Sequence, residues 1–369
     1  MVDLRVLMVA SDPGAGLARH LRVLVDHLDR RGVRVSVCGE HPHDLGLDSS
    51  RARLLPVEIG SSSVRDALES RALRREVERH DLVHAFGVRA GAVAGLATAR
   101  PRPLVVTWHH GLPRRTTGAA GVVERFVARR AAAVLCVADD LAERARGYGA
   151  RDVRVLVPSA PILGRAPRSR TSMRAELDPR PVRDPLSSGR PIVLCIGRLV
   201  RHKGHHVLVD AAAQMVDRQP RPLFLVAGDG PRRGELERQA AALDAPVRFL
   251  GHRPDVADLL QAADVVVIPS LWDGAPLAVA EALRAAAPLV ASDVGGIAAM
   301  AGDGALLVEP GDVDALARGI ARVLDEPGLG STMRSQALHA AEHLPTDDVV
   351  ASQVLATYHR LMLSGSGTL

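Results

Sequence analysis

The strongest candidates for chemistry are two cations that follow an apolar run, Arg198 and Lys203. Lys203 is the only lysine in a chain whose lysines and arginines total 47. This single exception indicates that the position requires a compact, flexible ammonium and not a planar guanidinium. Both cations stand between a predicted buried strand and a predicted helix, where they could bind a diphosphate and neutralise it as it leaves. The alternative is that they form surface ion pairs.

A second group of candidates lies in the turn at Pro269–Leu277, which leads into a helix carrying Glu281. Ala275, Pro276 and Leu277 stand at the start of that helix. The backbone amides around Ala275–Val279 would face an anion because a helix N-terminus leaves its N–H groups free. Carboxylates bind paired hydroxyls well, so Glu281 could hold a ribose and Asp273 a sugar. Both tryptophans of the chain, Trp272 in the same turn and Trp108, fall in predicted loops that would face a ligand, and structural packing is the alternative for each.

The first half of the chain offers one glycine turn and one histidine. The turn at Ser11–Leu17 contains Gly16 and leads into a helix, so its amides could approach a phosphate. A plain tight turn is the alternative, because the full G-x-G-x-x-G pattern is absent. His109 ends a predicted strand, where it could hydrogen-bond a sugar hydroxyl or polarise a reacting group, although a generic loop histidine is the alternative.

Apolar runs that alternate with helical periodicity must position these residues. The first series of predicted strands is Leu4–Ala10, Val33–Cys38, Leu82–Phe86, Leu104–Trp108, Ala133–Val137 and Val153–Val157. The second series is Ile192–Ile196, Leu223–Ala227, Val247–Leu250, Val265–Ile268, Leu289–Ala291 and Ala305–Val308. Alternating strands and helices indicate parallel sheets that are covered on both faces.

The fold class is therefore α/β, with two Rossmann-like, doubly wound parallel-sheet domains that face each other across a cleft. Residues 158–190 are rich in Pro, Arg and Ser, so the boundary is predicted near residue 185. The domains are then residues 1–185 and 186–345, and the final helix, 346–369, is predicted to pack back on the first domain. Ligands of such sheets bind at the carboxyl ends of the strands.

Composition limits the functional class. Cys38, Cys136 and Cys195 are odd in number and far apart, so their spacing indicates neither a disulfide framework nor a zinc site, which fits a reducing compartment. Because no apolar run reaches about 18 residues, we expect neither a signal peptide nor a membrane span. These features predict a cytoplasmic protein that could sit peripherally at the inner face of the membrane.

Charge is spread unevenly along the chain. Residues 1–190 contain 32 arginines and 21 acidic residues, a net charge of +11, whereas residues 191–369 contain 15 basic and 21 acidic residues, a net charge of −6. A basic half attracts anionic acceptors or anionic lipid, and a solvated arginine-rich surface is the alternative. The stretch Val64–Arg79 has helical spacing and could lie on lipid, although its modest apolar face favours a solvated helix. No nucleic-acid partner is predicted.

The order of the motifs resembles the retaining glycosyltransferases of the GT-B fold, family four, also called group 1. The blocks that carry the resemblance are GRL…KG, AGDGP, FLGH, ADVVVIPS, EALRAAAPLVASDVGG and LLVEPGD. The resemblance implies that Gly16 offers an amide to the donor phosphate and that His109 contacts the donor sugar and the reaction centre. It also implies that Arg198 and Lys203 bind the diphosphate and that Glu281 binds the ribose.

The chain departs from the family pattern at several positions. The family has two glutamates separated by seven residues, and Asp273 with Glu281 keeps the spacing but shortens the first side chain by about 1.5 Å. Ala15 replaces a usual glycine, Ser159 replaces an asparagine, and an alanine of the segment 294–300 replaces a glutamate. These changes bear on the substrate more than on the fold.

The resemblance implies a metal-independent hexosyltransferase for glycan or glycolipid biosynthesis, which needs no cofactor beyond its nucleotide diphosphate sugar donor and acts on a lipid, cyclitol or glycan acceptor. The leaving phosphate itself would take the acceptor's proton on the same face of the sugar, giving retention. The sequence Asp312-Val313-Asp314 spells a metal-binding motif, but capping of the next helix explains it. A nucleotide-sugar-binding subunit with little or no turnover is the alternative, and an NAD-dependent oxidoreductase is disfavoured by the incomplete glycine fingerprint.

Overall fold

A computed structural model describes residues 4–11, 15–39, 47, 52–55, 71–98, 102–109, 118–159, 164, 166–178 and 189–365. The chain divides into two compact units, the first formed by Met1–Ser159 with Pro345–Leu369 and the second by Ala160–Leu344. Each unit contains one parallel sheet with helices on its faces, which confirms the predicted α/β class.

The sheet of the first unit has its described strands in the order β3-β2-β1-β4-β5-β6-β7, and every neighbouring pair is parallel. Its strands are β1 Arg5–Ala10, β2 Arg34–Gly39, β3 Arg53–Leu54, β4 Leu82–Phe86, β5 Leu104–Trp108, β6 Ala133–Cys136 and β7 Val153–Val155. The helices that connect them are α1 Ala15–Arg30, α2 Arg71–Arg79, α3 Val88–Ala97, α4 Ala119–Arg130 and α5 Asp139–Gly147.

Helix α1 illustrates why these segments fold as they do. Leu17, Leu21, Leu24 and Leu28 recur every three or four residues, and all four are buried against the sheet. The central strands β4 and β5 are buried along their whole length, because helices cover both faces of the sheet. The C-terminal ends of these two strands therefore have fixed positions.

The sheet of the second unit has its described strands in the order β10-β9-β8-β11-β12-β13. They are β8 Ile192–Ile196, β9 Leu223–Ala227, β10 Val247–Gly251, β11 Val265–Ile268, β12 Leu289–Ser292 and β13 Ala305–Val308. The helices are α6 Arg170–Leu177, α7 His205–Ala213, α8 Arg233–Ala242, α9 Val256–Ala262, α10 Leu277–Arg284, α11 Ile297–Ala301, α12 Val313–Asp325 and α13 Leu329–Glu342. Short 3₁₀ turns cover Arg201–Lys203 and Gly302–Gly304.

Helix α6 belongs to the second unit, whereas the sequence assigned it to a first domain that ends at residue 185. Arg168, just before the helix, donates to the buried carboxylate of Asp258 over 2.9 Å. Arg174 within the helix reaches Asp264 over 2.8 Å. These charge pairs tie the helix to α9 and to the start of β11, and periodicity alone gives no sign of them. The predicted boundary itself lies outside the described residues.

The last helix, α14 Asp347–Gly365, belongs to the first unit and packs against α1. Val350, Ala351 and Val354 enter the hydrophobic core of that unit. Tyr358 is fully buried, and its hydroxyl lies 2.6 Å from Nδ1 of His84 on β4. The chain therefore returns to its first unit after completing the second.

The predicted strands are found in both sheets, most with ends shifted by at most a residue or two. One strand was missed: β3 contains only Arg53–Leu54, which is too short to show an apolar pattern. The basic helix predicted over residues 64–79 is seen as α2, and residues 64–70 lie outside the described part of the chain.

Candidate active site

The candidate site of the second unit lies at the carboxyl ends of β8 and β11. These two strands are neighbours in the centre of the sheet, although β9 and β10 lie between them in the chain. The strand order reverses at this point, because β9 and β10 lie on one side of β8 while β12 and β13 lie beyond β11 on the other. Such a switch point is where open parallel sheets bind their ligands.

Backbone hydrogen bonds join the two loops. The carbonyl of His202, in the 3₁₀ turn after β8, accepts from the amide of Leu271 over 2.7 Å and from that of Trp272 over 3.4 Å. The turn that carries Lys203 is therefore anchored directly to the loop that carries Asp273.

Two glycines allow this close approach. Gly204 has a φ of 67°, and a Cβ at this position would lie 1.8 Å from the carbonyl oxygen of Pro269. Gly295, after β12, has a φ of 55°, and a Cβ there would lie 1.8 Å from the carbonyl oxygen of Asp273. That carbonyl also accepts from the amide of Gly296 over 3.1 Å. The backbone around Asp273 is thus closely enclosed: a side chain at Gly204 would displace the backbone of Pro269, and one at Gly295 would displace that of Asp273.

The side chains of Lys203 and Asp273 meet in this enclosure. The ammonium Nζ of Lys203 donates to Oδ2 of Asp273 over 2.5 Å, and the hydroxyl of Ser270 lies 3.3 Å from the same oxygen. Only 23% of the Lys203 side chain and 12% of the Asp273 side chain are exposed. The sequence singled out both residues, but it assigned one to a diphosphate and the other to a sugar, so their mutual ion pair was not expected.

Arg198 lies on the loop between β8 and the 3₁₀ turn and is exposed. Within the described part of the chain, no ion pair involves this guanidinium. The backbone on its C-terminal side is fixed, because the amide of Leu199 donates to the carbonyl of Asp229 over 3.0 Å. Its predicted role at a diphosphate remains a prediction.

The predicted anion-binding amides stand at the start of α10. Pro276 occupies the N-cap position and Leu277 the first helical position, with Ala275 in the turn before them. No side chain caps this helix, and Pro276 has no N–H, while the amide of Val279 donates to the Pro276 carbonyl over 3.1 Å. The amides of Leu277 and Ala278 are therefore the ones available to a ligand. Glu281 lies in the second turn of α10 and is half-buried. The loop of Asp273 therefore leads directly into the N-terminus that the sequence assigned to the donor.

His205 is a residue of this site that sequence reasoning missed. It is the first residue of α7, it is 2% exposed, and neither of its ring nitrogens has a hydrogen-bond partner. Burial, and then the positive charge of Lys203, lower the pKa of His205 to about 4. The ring is therefore neutral near pH 7. The only sequence feature that could have indicated His205 as a site residue is its position two residues after the single lysine.

The first unit holds the other two predicted site residues. His109 follows β5 and is half-buried, and its Cε1 would lie 3.1 Å from a Cβ built at Gly87, after β4. Trp108, the residue before it, is fully buried, so it belongs to the core and not to a loop that faces a ligand. His109 is thus the first residue of this strand end that a ligand could reach.

Gly16 lies in the first turn of α1 and is exposed, and a Cβ there would meet nothing within 4 Å. The preceding part of the predicted turn, residues 12–14, lies outside the described residues. One turn further on, His20 is buried and neither of its ring nitrogens is hydrogen-bonded. Burial is the main reason why the pKa of His20 is lowered to about 4.

No group of three or more His, Cys, Asp or Glu side chains among the described residues could hold a metal ion. Within the same residues, no helix combines the length and the apolar character that crossing a membrane requires. Asp312 caps α12 through a 2.8 Å hydrogen bond from the amide of Ala315, which is the structural role predicted for it.

Family models match both units of the chain. The model described as glycosyl transferases group 1 matches residues 181–340, and the model described as glycosyltransferase family 4 matches residues 14–159. The matches thus cover the segments that contain the candidate site residues.

Individual proteins and a solved structure agree with the family models. The chain is 30% identical to the alpha-D-kanosaminyltransferase of Streptomyces kanamyceticus, over 72% of this chain and 73% of that protein. It is 28% identical to the D-inositol 3-phosphate glycosyltransferase of Corynebacterium urealyticum, over 89% of this chain and 81% of that protein.

A crystal structure of Anabaena HepE in complex with UDP and glucose superposes on the chain with a TM-score of 0.78 and 21% identity, covering 96% of this chain and 99% of that one. This likeness shows the GT-B fold. Together with the sequence matches, it establishes that the chain is a glycosyltransferase that uses a nucleotide sugar and belongs to glycosyltransferase family 4, the group 1 glycosyltransferases, whose members are retaining.

Proposed function

We propose that this glycosyltransferase transfers a hexose from a UDP-sugar to a cyclitol acceptor, with retention at the anomeric carbon. The observation that carries the proposal is the grouping of Lys203, Asp273 and the uncapped N-terminus of α10 at one edge of the second sheet. A nucleotide sugar presents a diphosphate and a hexose side by side. This edge offers a cation and free amides to bind the diphosphate and a carboxylate to bind the hexose.

The chemistry follows from where charge develops. As the glycosidic bond to the diphosphate breaks, negative charge grows on the leaving phosphate and positive charge on the sugar ring. Lys203, Arg198 and the first amides of α10 stabilise the leaving diphosphate. Glu281 holds the ribose. The acceptor oxygen bonds to the anomeric carbon on the face that the diphosphate leaves, and the leaving phosphate accepts the proton of that acceptor hydroxyl. The roles proposed for His109 at the donor sugar and for the amide of Gly16 at the donor phosphate rest on the family resemblance.

Two relatives support the substrate classes. The structure of HepE contains UDP and glucose, which favours UDP as the nucleotide. The relative from Corynebacterium urealyticum is named for D-inositol 3-phosphate, which favours a cyclitol acceptor. The net charge of +11 in residues 1–190 is also suited to an anionic acceptor such as a cyclitol phosphate.

The donor is tested by titrating the protein with UDP, GDP and ADP in a calorimeter, and then by incubating it with UDP-, GDP- and ADP-hexoses. We expect UDP to bind, and the corresponding UDP-hexose to be hydrolysed slowly to UDP without an acceptor and faster with inositol phosphate. Binding without UDP release under both conditions would instead support a nucleotide-sugar-binding subunit. Binding of GDP or ADP in preference to UDP would contradict the proposed nucleotide.

We propose a cytoplasmic location with contact to anionic lipid. All three cysteines are buried and unbonded, as suits a reducing compartment. Helix α2 exposes Arg74, Arg75 and Arg79, which could contact lipid phosphates. Co-sedimentation with vesicles of phosphatidylcholine alone and with added phosphatidylserine tests the contact. Equal sedimentation with both would remove the membrane from the proposal.

A further inference from the structure

The ion pair between Lys203 and Asp273 places a carboxylate where the donor's diphosphate is expected. Oδ2 of Asp273 lies 2.5 Å from the only ammonium side chain of the protein, and the Ser270 hydroxyl lies 3.3 Å from the same oxygen. A carboxylate and a phosphate bind an ammonium through the same kind of charge-assisted hydrogen bond. The two anions therefore compete for one cation.

The ion pair is partly buried, so separating its charges costs more free energy than it would at the surface. The exposed fraction is 23% for the Lys203 side chain and 12% for that of Asp273, and a partly buried pair is screened much less than a surface pair. A nucleoside diphosphate carries more charge than a single carboxylate and can take the ammonium away. The binding of the donor is nevertheless weakened by the cost of separating Lys203 from Asp273.

The exchange must occur by side-chain rotation. The carbonyl of Asp273 accepts from Gly296 and leaves no room for a Cβ at Gly295. The carbonyl of His202, beside Lys203, accepts from Leu271 and Trp272. Both backbones are therefore held in place whether or not the pair is intact.

We propose that Asp273 is the counter-ion of Lys203 in the donor-free protein and gives up the ammonium to the diphosphate when the donor binds. Asp273 thereby acts as a positioning residue that sets donor affinity through Lys203, and its released carboxylate becomes available to a hydroxyl of the donor sugar. This inference rests on the proposed function, because it takes a nucleoside diphosphate as the ligand.

The first test is a double-mutant cycle with UDP as the probe in calorimetry. Asp273→Asn removes the competing charge but keeps the shape, so we expect it to bind UDP about five- to twentyfold more tightly than the wild type. In a Lys203→Ala background the same substitution should change UDP affinity by less than about twofold. Asp325→Asn, which breaks the exposed pair with Arg218 in the same unit, is the matched control and should leave UDP affinity unchanged.

Turnover gives an independent readout of the same variant. With UDP-hexose as the donor, Asp273→Asn should lower the donor KM and also lower kcat, because a charged acceptor for the sugar hydroxyl is replaced by a weaker, neutral one. A UDP affinity unchanged by Asp273→Asn would overturn the proposal. So would a gain of equal size in the Lys203→Ala background, because it would show direct repulsion of the phosphate without involvement of Lys203.

The second test uses the wild-type protein and does not depend on the folding of a variant. Protein grown with ¹³C,¹⁵N-lysine carries one labelled side chain, because Lys203 is the only lysine. Titration with UDP should move its Cε and Nζ signals, with the same midpoint as the calorimetric titration. If UDP binds and these signals stay in place, the exchange is contradicted and the proposed donor survives. If UDP does not bind at all, the proposed donor fails and the inference fails with it.

Discussion

Lys203 and Asp273 are 70 residues apart in the chain, yet their charged atoms are in contact. At the scale of single residues, the choice of a lysine is explained by the space available. A flexible stem lets one ammonium reach either the Asp273 carboxylate or a phosphate, whereas a planar guanidinium would need a wider opening. Next to Lys203, the backbone of Gly204 lies so close to Pro269 that a Cβ there would be 1.8 Å from the carbonyl oxygen.

Lys203→Ala should reduce kcat for sugar transfer by about 10²–10³-fold, or about 2.7–4 kcal/mol of transition-state stabilisation, because one preorganised charge at the leaving group is lost. Steady-state kinetics with UDP-hexose would measure the change. Arg322→Ala, which removes an exposed cation on α12, serves as the control and should retain wild-type kcat. Near-native turnover of Lys203→Ala would show that Lys203 does not stabilise the leaving diphosphate.

Gly204→Ala should destabilise the second unit more than its backbone conformation alone predicts. Gly328, at the start of α13, also has a positive φ of 82°, but a Cβ there would meet nothing within 4 Å. Gly328→Ala should therefore cost only about 1–2 kcal/mol. Gly204→Ala should cost at least about 2 kcal/mol more, since its Cβ would collide with the Pro269 carbonyl.

Urea unfolding of the two glycine variants would measure the difference. Equal losses of stability would mean that the loops separate easily, and the enclosure around Asp273 would then not be rigid.

At the scale of elements, α14 is held to β4 by a buried polar contact. Nδ1 of His84 lies 2.6 Å from the Tyr358 hydroxyl, and Nε2 lies 2.8 Å from the Thr107 hydroxyl on β5. The His84 ring also stacks on Phe86, with ring centroids 4.2 Å apart. Burial lowers the pKa of His84 to about 3, so the ring stays neutral in the folded protein.

This burial should make the first unit less stable in acid. An unfolded histidine titrates near pH 6.5, so between about pH 6.5 and pH 3 the unfolded chain binds a proton that the folded chain does not. The stabilising contribution of neutral His84 is complete above that window and is lost as the pH falls through it. His84→Gln should therefore reduce the slope of unfolding free energy against pH by about 1.4 kcal/mol per unit between pH 5.5 and 4.5.

Trp108 fluorescence in a Trp272→Phe background would follow the unfolding of the first unit, because Trp108 lies in its core. The exposed His359→Gln, on α14, is the control. A pH slope that is the same with and without His84 would show that the buried ring takes up its proton before the unit unfolds.

At the scale of the whole molecule, the two halves of the chain carry opposite net charge: the arginine-rich first half is positive and the second half is negative. Attraction between a basic surface and an anionic acceptor weakens as salt screens it, because the Debye length falls from about 10 Å at 0.1 M to about 3 Å at 1 M. Neutral acceptors lack this dependence.

The KM for inositol phosphate should therefore rise at least about threefold between 0.05 and 0.5 M NaCl, whereas the KM for unphosphorylated inositol should change little. Acceptor kinetics at saturating donor would measure both values. If both respond equally to salt, the arginines of the first half form a solvated surface and play no part in acceptor choice.

The sequence by itself determined the α/β class, most strand positions and the residues around Lys203, Asp273 and α10, because buried strands and glycine-rich strand ends have local signatures. It did not reveal the two-residue strand β3 or the pairing of α6 with the second unit. Both depend on contacts with distant parts of the chain, which no local pattern encodes.

Only the tertiary structure decided that Lys203 pairs with Asp273, that His205 is buried and that Trp108 lies in the core. The physical reason is strand order. Loops distant in sequence meet because β8 and β11 are neighbours in the sheet, and burial depends on which helix covers each strand end. The residue types indicated which cations and carboxylates could bind a ligand, and the packing of the sheet determined which of these charged groups are in contact.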